Sequence, residues 1–67
     1  MDLMKIYLHS KWTSIQKVYG WRHYEVSNVF IKNKEVELFS VCDKQIKFLV
    51  KIKDLKNNHN WKPGWNE

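Results

Sequence analysis

Residues Ile46–Lys53 read IKFLVKIK, and within them Ile46, Phe48, Val50 and Ile52 alternate with Lys47, Leu49, Lys51 and Lys53. A period of two, with one apolar face and one mainly lysine face, marks a half-buried antiparallel strand. Leu49 is the exception on the wet side. Shorter runs rich in Val, Ile, Phe and Tyr recur upstream between polar segments, and helical periodicity is hard to find. The chain reads as mainly β.

Working backward from this strand, CDKQ (Cys42–Gln45) supplies a turn. Before it, Val36 and Leu38 point one way and Phe39 and Val41 the other. KNKE (Lys32–Glu35) is polar between two apolar runs and predicts a hairpin turn. In the preceding strand Tyr24, Val26 and Asn28 share one face while Val29 and Ile31 share the other. That change of phase predicts a bend or bulge. Gly20 in KVYGWR places a loop. HSKWTSI, from His9, reads as the first strand, with Trp12 and Ile15 breaking strict alternation. Working forward, KDLKNNHN predicts a short helical turn near residues 54–58, with Asp54 near its start and Leu55 pointing inward, and Pro63-Gly64 fixes a further turn. Several phase changes in short strands imply strong coiling, and a flat open edge is hard to protect. The expected fold is therefore a small SH3-like barrel, or a strongly curved antiparallel meander of four or five strands.

Sixty-seven residues make one domain, and a chain of this size buries only about 60% of its extended surface. Four Trp, three Tyr and three Phe supply the bulk such a core needs. NWKPGW (Asn60–Trp65) is accordingly expected to fold back over the core, with Trp61 or Trp65 packing close to Trp12. The single cysteine, Cys42, excludes an internal disulfide and reads as a buried small hydrophobe. MDLMKIYLHS is broken by charge and predicts no secretory signal, and no window approaches the roughly 20 apolar residues of a membrane span. A cytoplasmic protein is expected, with no membrane partner; a monomer and a homo-oligomer both fit the composition.

The formal charge of +5 is unevenly distributed. Residues 44–62 hold six lysines against Asp54 alone, whereas residues 1–43 are nearly balanced. Lys44, Lys47, Lys51, Lys53, Lys56 and Lys62 thus form a candidate field for nucleic acid. Arg22 is the only arginine, which weighs against bidentate recognition of bases or phosphate. The bland reading of the lysine face is a solvated surface whose charges keep sheet edges apart.

Chemistry is harder to place. The three histidines (His9, His23, His59) lack short ligand spacing, so no metal site is expected. No carboxylate pair suggests acid–base work, no loop resembles a phosphate cradle, and so short a chain leaves little mass for a deep pocket. No catalytic residue and no cofactor are assigned, and the chain is read as non-enzymatic. By elimination it is an interaction or adaptor module for a protein partner. Its predicted anchor is Trp21, which lies in a loop, flanked by Arg22 and Tyr24, together with Leu49. The alternative is weak, salt-sensitive nucleic-acid binding through the lysines.

HSKWTS near the start, HYEV (His23–Val26), KDLKN and the closing NWKPGW together resemble the small tryptophan-rich bacterial proteins of the DUF2389 family. The resemblance runs from Leu8 to Trp65 and is carried by His9, Ser10, Lys11, Trp12, Thr13, Trp61, Gly64 and Trp65. It implies no activity, cofactor or residue role, and the motif residues His9, Ser10, Trp12, Thr13, Trp61, Pro63, Gly64 and Trp65 are read as structural. The chain departs from the family pattern at Ile52, where relatives often place another tryptophan, and at Trp21, where they show a polar loop.

Overall fold

A computed structural model describes residues 3–65. Its elements, in chain order, are α1 (Leu3–Tyr7), β1 (Lys11–Val18), β2 (Trp21–Phe30), β3 (Glu35–Ser40), β4 (Lys47–Lys51), α2 (Ile52–Leu55) and β5 (Trp61–Pro63). The five strands form one antiparallel sheet in the order β4-β3-β2-β1-β5.

The first four strands follow one another as a meander, and β5 returns to pair with β1. The sheet ends there. β4 and β5 are its two edges, and the molecule measures 31 × 25 × 16 Å, a slab thinner in one direction than in the others. The SH3-like barrel and the strongly curved meander expected from the sequence are both overturned: the sheet is neither closed nor strongly curled. The physical reason lies at the edges. β4 has five residues and β5 has three, which is too little ladder to close a cylinder. Short edges themselves limit edge-to-edge pairing, so closure is not the only way to protect them.

Local signals fared better. The β1–β2 connection is a two-residue hairpin in which Tyr19 (φ 53°) and Gly20 (φ 86°) are both left-handed, with Val18 paired to Trp21. Two positive φ values in a two-residue loop are what the twist of flanking strands demands. The phase change in the second strand is a bulge, since Val26 pairs with Leu38 but Asn28 with Glu37, leaving Ser27 as the extra residue. Tyr24, Val26 and Val29 are consequently all buried. The Trp12/Ile15 irregularity matches a register shift in β1 between Thr13 and Val18. The first strand starts at Lys11, because His9 (φ 66°) turns the chain out of α1 instead.

The helical turn forms two residues earlier than expected, at Ile52, and truncates the strand that alternation would have carried to Lys53. Ile52 and Leu55 are both buried against the sheet. α1 delivers Tyr7 to the same face, where it stacks on Trp12 with centroids 6.4 Å apart. The core is Tyr7, Tyr24, Val26, Val29, Val36, Leu38, Ile52, Leu55 and Trp61, with Phe48 and Val50 packed against it. Trp61 meets Tyr24 edge-on at 5.8 Å and Phe48 at 6.5 Å, so the C-terminal motif does close the core. The partner expected for it was Trp12, whose stacked ring is instead Tyr7. Cys42 is also displaced from expectation. It is exposed in the turn after β3, where its backbone N–H and that of Asp43 donate to the buried Ser40 hydroxyl.

Candidate functional site

Strand alternation divides the side chains between two faces. Trp12, Tyr24, Val26, Val36, Leu38, Phe48 and Val50 turn toward the helices. Lys11, Thr13, His23, Glu25, Phe39, Lys47, Leu49, Lys51 and Lys62 turn the other way. Both helices lie on the core face, so this outer face has no covering layer among the described residues.

The outer face is organised by the last turn of the chain. Gly64 (φ 81°) follows Pro63 and redirects the backbone across β1. Its N–H donates to Lys11 O at 2.7 Å, and its carbonyl accepts from Thr13 Oγ1 at 2.7 Å. A threonine on the wet face is thereby 1% exposed. The same crossing carries Trp65 onto this face. Its indole Nε1–H donates to Tyr24 O at 3.0 Å, and the Lys11 ammonium sits 5.0 Å from the ring centroid. The ring is pinned at its polar edge yet stays 45% exposed. Trp21, at 41% exposure, starts β2 at the hairpin end, where it pairs with Val18, a residue packed against the core. His23 and Glu25 follow along β2 on the outer face with Trp65. The Glu25 carboxylate is 4.0 Å from His9 Nδ1.

The protein-binding set predicted from the sequence is broken up. Trp21 is exposed as expected. Tyr24 is wholly buried, and its hydroxyl donates to Val18 O and also lies 3.3 Å from Trp21 O. Burial pushes its phenol pKa up, helped by the nearby Tyr19 and Cys42 groups. It is a core post beneath the β1–β2 hairpin. Arg22 is half-buried, with Nε–H donating to Ser14 O at 3.0 Å, so it braces the same hairpin. Leu49 is exposed at 54% but pairs with Glu37, itself opposite Asn28. At about 3.3 Å per residue it lies roughly 20 Å along the sheet from Trp21.

The six lysines are scattered as well. Lys44 is in the β3–β4 turn, Lys47 and Lys51 are on β4, Lys53 and Lys56 are at α2, and Lys62 is on β5. β4 and β5 are opposite edges, about 19 Å apart at the usual strand spacing. Lys51 also faces Glu35 in register, as Lys11 faces Glu25, which dilutes the cationic field. Only Lys51, Lys53 and Lys56 stay together, at the end of the molecule where α2 meets the β2–β3 turn.

The residues of the two end motifs hold the chain in place. Ser10 Oγ–H donates to Tyr7 O and accepts from Trp12 Nε1–H at 2.8 Å, locking α1 to β1. His9 N–H donates to Val26 O. Pro63 lies opposite Trp12 in the ladder. Sequence reasoning missed Trp65 as an exposed ring. The Pro63-Gly64 pair was the available signal, since a left-handed glycine after a strand reverses the side on which the next residue emerges.

Among the described residues no group of three or more His, Cys, Asp or Glu side chains is placed to hold a metal ion. No helix among them is long and apolar enough to cross a membrane. A family model described as tryptophan-rich protein (DUF2389) matches residues 10–66. No curated protein and no solved structure matches the chain.

Proposed function

The chain belongs to the tryptophan-rich DUF2389 family, and from that premise we propose that it is a non-enzymatic binding module of the cytoplasm. It engages a protein partner through the uncovered face of its sheet. One observation carries this reading: Trp65 is held by a hydrogen bond and a lysine contact in a fixed pose while nearly half its surface stays in water. A ring ordered before binding loses little further entropy on contact, and indoles dominate the energetics of protein interfaces. Trp21, another exposed indole, supplies a second anchor at the hairpin end of β2. Lys11, Lys62, His23 and Glu25 form a polar surround of mixed sign, as an interface rim requires.

The test is affinity capture from a bacterial lysate with the natural chain, a Trp21→Ala/Trp65→Phe double variant and a Lys5→Gln control on the exposed side of α1. Captured protein should be lost with the double variant and kept with the control. Equal recovery by all three chains overturns the reading.

A further inference from the structure

At the opposite end of β2 from Trp21, the turn leading to β3 meets α2. Asn33, Lys34, Lys51, Ile52, Lys53 and Lys56 line a groove there of about 560 Å3, within the range of about 300–1,000 Å3 typical of small-ligand sites. Four of the six lining residues are lysines and none is acidic, while Glu35 faces Lys51 in register and Asp54 lies on α2 at its margin. No ion pair among the described residues engages any of the four. The backbone N–H of Ile52 donates to Lys34 O at 2.9 Å and ties the two walls together. Ammonium groups gathered on fixed walls repel one another, and a bound anion offsets that repulsion.

Lys34 makes the arrangement harder to dismiss as a solvated surface. Its φ is 53°, in the left-handed region. At such a turn position glycine or asparagine takes that conformation at lower cost. A lysine here is unfavourable twice over, for its backbone and for the charge it adds to three others. Strain kept at a charged position points toward a role for the charge.

We propose that this groove binds a clustered-phosphate anion, a short chain of condensed phosphates such as tripolyphosphate. The donors define the class. Ammonium groups are point charges that bind phosphate without the paired geometry of a guanidinium. The lining holds no aromatic ring on which a base would stack. Four cations around Ile52 match a ligand that concentrates several charges in one place better than a strand carrying one charge per nucleotide. This site shares only Lys51 with the outer face of the sheet and does not depend on that face's partner.

The experiment titrates the full chain with sodium tripolyphosphate by calorimetry at low and at physiological salt. A parallel arm uses oligothymidylate at equal total phosphate. Variants are Lys34→Gly, Lys53→Gln/Lys56→Gln, and Lys17→Gln as an exposed control on β1. One-site binding is expected, weakening with salt, and reduced about tenfold or more in the double variant. Lys34→Gly should weaken binding while its Tm holds or rises, a pairing that damage to the fold does not produce. Amide resonances of Asn33 and Ile52 should shift on binding. Absence of binding at low salt overturns the proposal, as does a Lys17→Gln loss equal to that of Lys34→Gly. Tighter binding of oligothymidylate than of tripolyphosphate also overturns it, and assigns the groove to nucleic acid instead.

Discussion

The two faces of the sheet treat their tryptophans differently. Trp12 and Trp61 lie on the face that α1 and α2 cover, and Trp65 on the face that has no covering layer among the described residues. The contrast is sharpest within one motif, because Trp61 and Trp65 are four residues apart. Trp61 is 6% exposed and wedged between Tyr24 and Phe48, so its contribution is apolar area removed from water. Trp65 is 45% exposed and held by a single indole hydrogen bond and a lysine over its ring. One indole stabilises the fold; the other is oriented by it. Residue type does not distinguish them, and neither does neighbourhood in sequence. What separates them is the left-handed Gly64 and the strand it crosses.

Substitutions should fall in order across this divide. Trp61→Ala removes the ring that fills the end of the core and should cost about 3–5 kcal/mol, comparable with the whole stability of a small domain at about 5–15 kcal/mol. Urea melts followed by circular dichroism should show little or no cooperative transition. A native-like melt would mean that the packed face does not depend on Trp61.

Tyr24→Phe keeps the ring but leaves Val18 O and Trp21 O without the buried hydroxyl. A loss of about 1–3 kcal/mol is expected from stranding such acceptors. The pH dependence is a second readout. Because burial raises the folded-state pKa of Tyr24 above 10.0, the folded state keeps its phenol proton where the unfolded chain has lost it. This contribution is fully present below pH 10.0 and declines as pH rises through the folded value. The natural chain should therefore lose stability more steeply above pH 10.0 than Tyr24→Phe does. Parallel alkaline profiles of the two would contradict this account.

At the two exposed indoles the effects should be smaller for stability and larger for binding. Trp65→Phe deletes the bond to Tyr24 O and should cost about 0.5–1.5 kcal/mol, while partner capture falls. Trp21→Phe keeps an aromatic ring on a side chain that is 41% exposed and should change stability by less than about 1 kcal/mol. If Trp21→Phe instead destabilises as much as Trp61→Ala, exposure does not separate the two kinds of indole.

Alternation made much of the core legible before any coordinates. Val26, Val36, Leu38, Phe48 and Val50 fall on the buried or half-buried side as their period of two requires. Leu55 points inward as expected. The β2 bulge was legible too, because an extra residue shifts the phase of Val29 against Val26. The candidate site was read less well. Tyr24 joins the expected anchor only as a sequence neighbour of Trp21, yet a phenol that finds two carbonyls is equally at home in a core. The lysines looked like one field because they are near one another in sequence, whereas β4 and β5 lie at opposite edges of the sheet.

What the sequence by itself determined is the local geometry: which stretches are strands, which side chains share a face, where the chain turns, and which family the end motifs belong to. These follow from steric preferences and a two-residue period, both of which act over a few positions. Only the tertiary structure decided that the sheet stays open, that Trp61 and Trp65 part to opposite faces, that Glu25 and Glu35 stand opposite Lys11 and Lys51, and that Lys34 joins Lys51, Lys53 and Lys56. Each of these depends on which strand lies beside which, and in what register. Pairing between residues tens of positions apart is set by the summed packing of the whole core, and no local pattern encodes it.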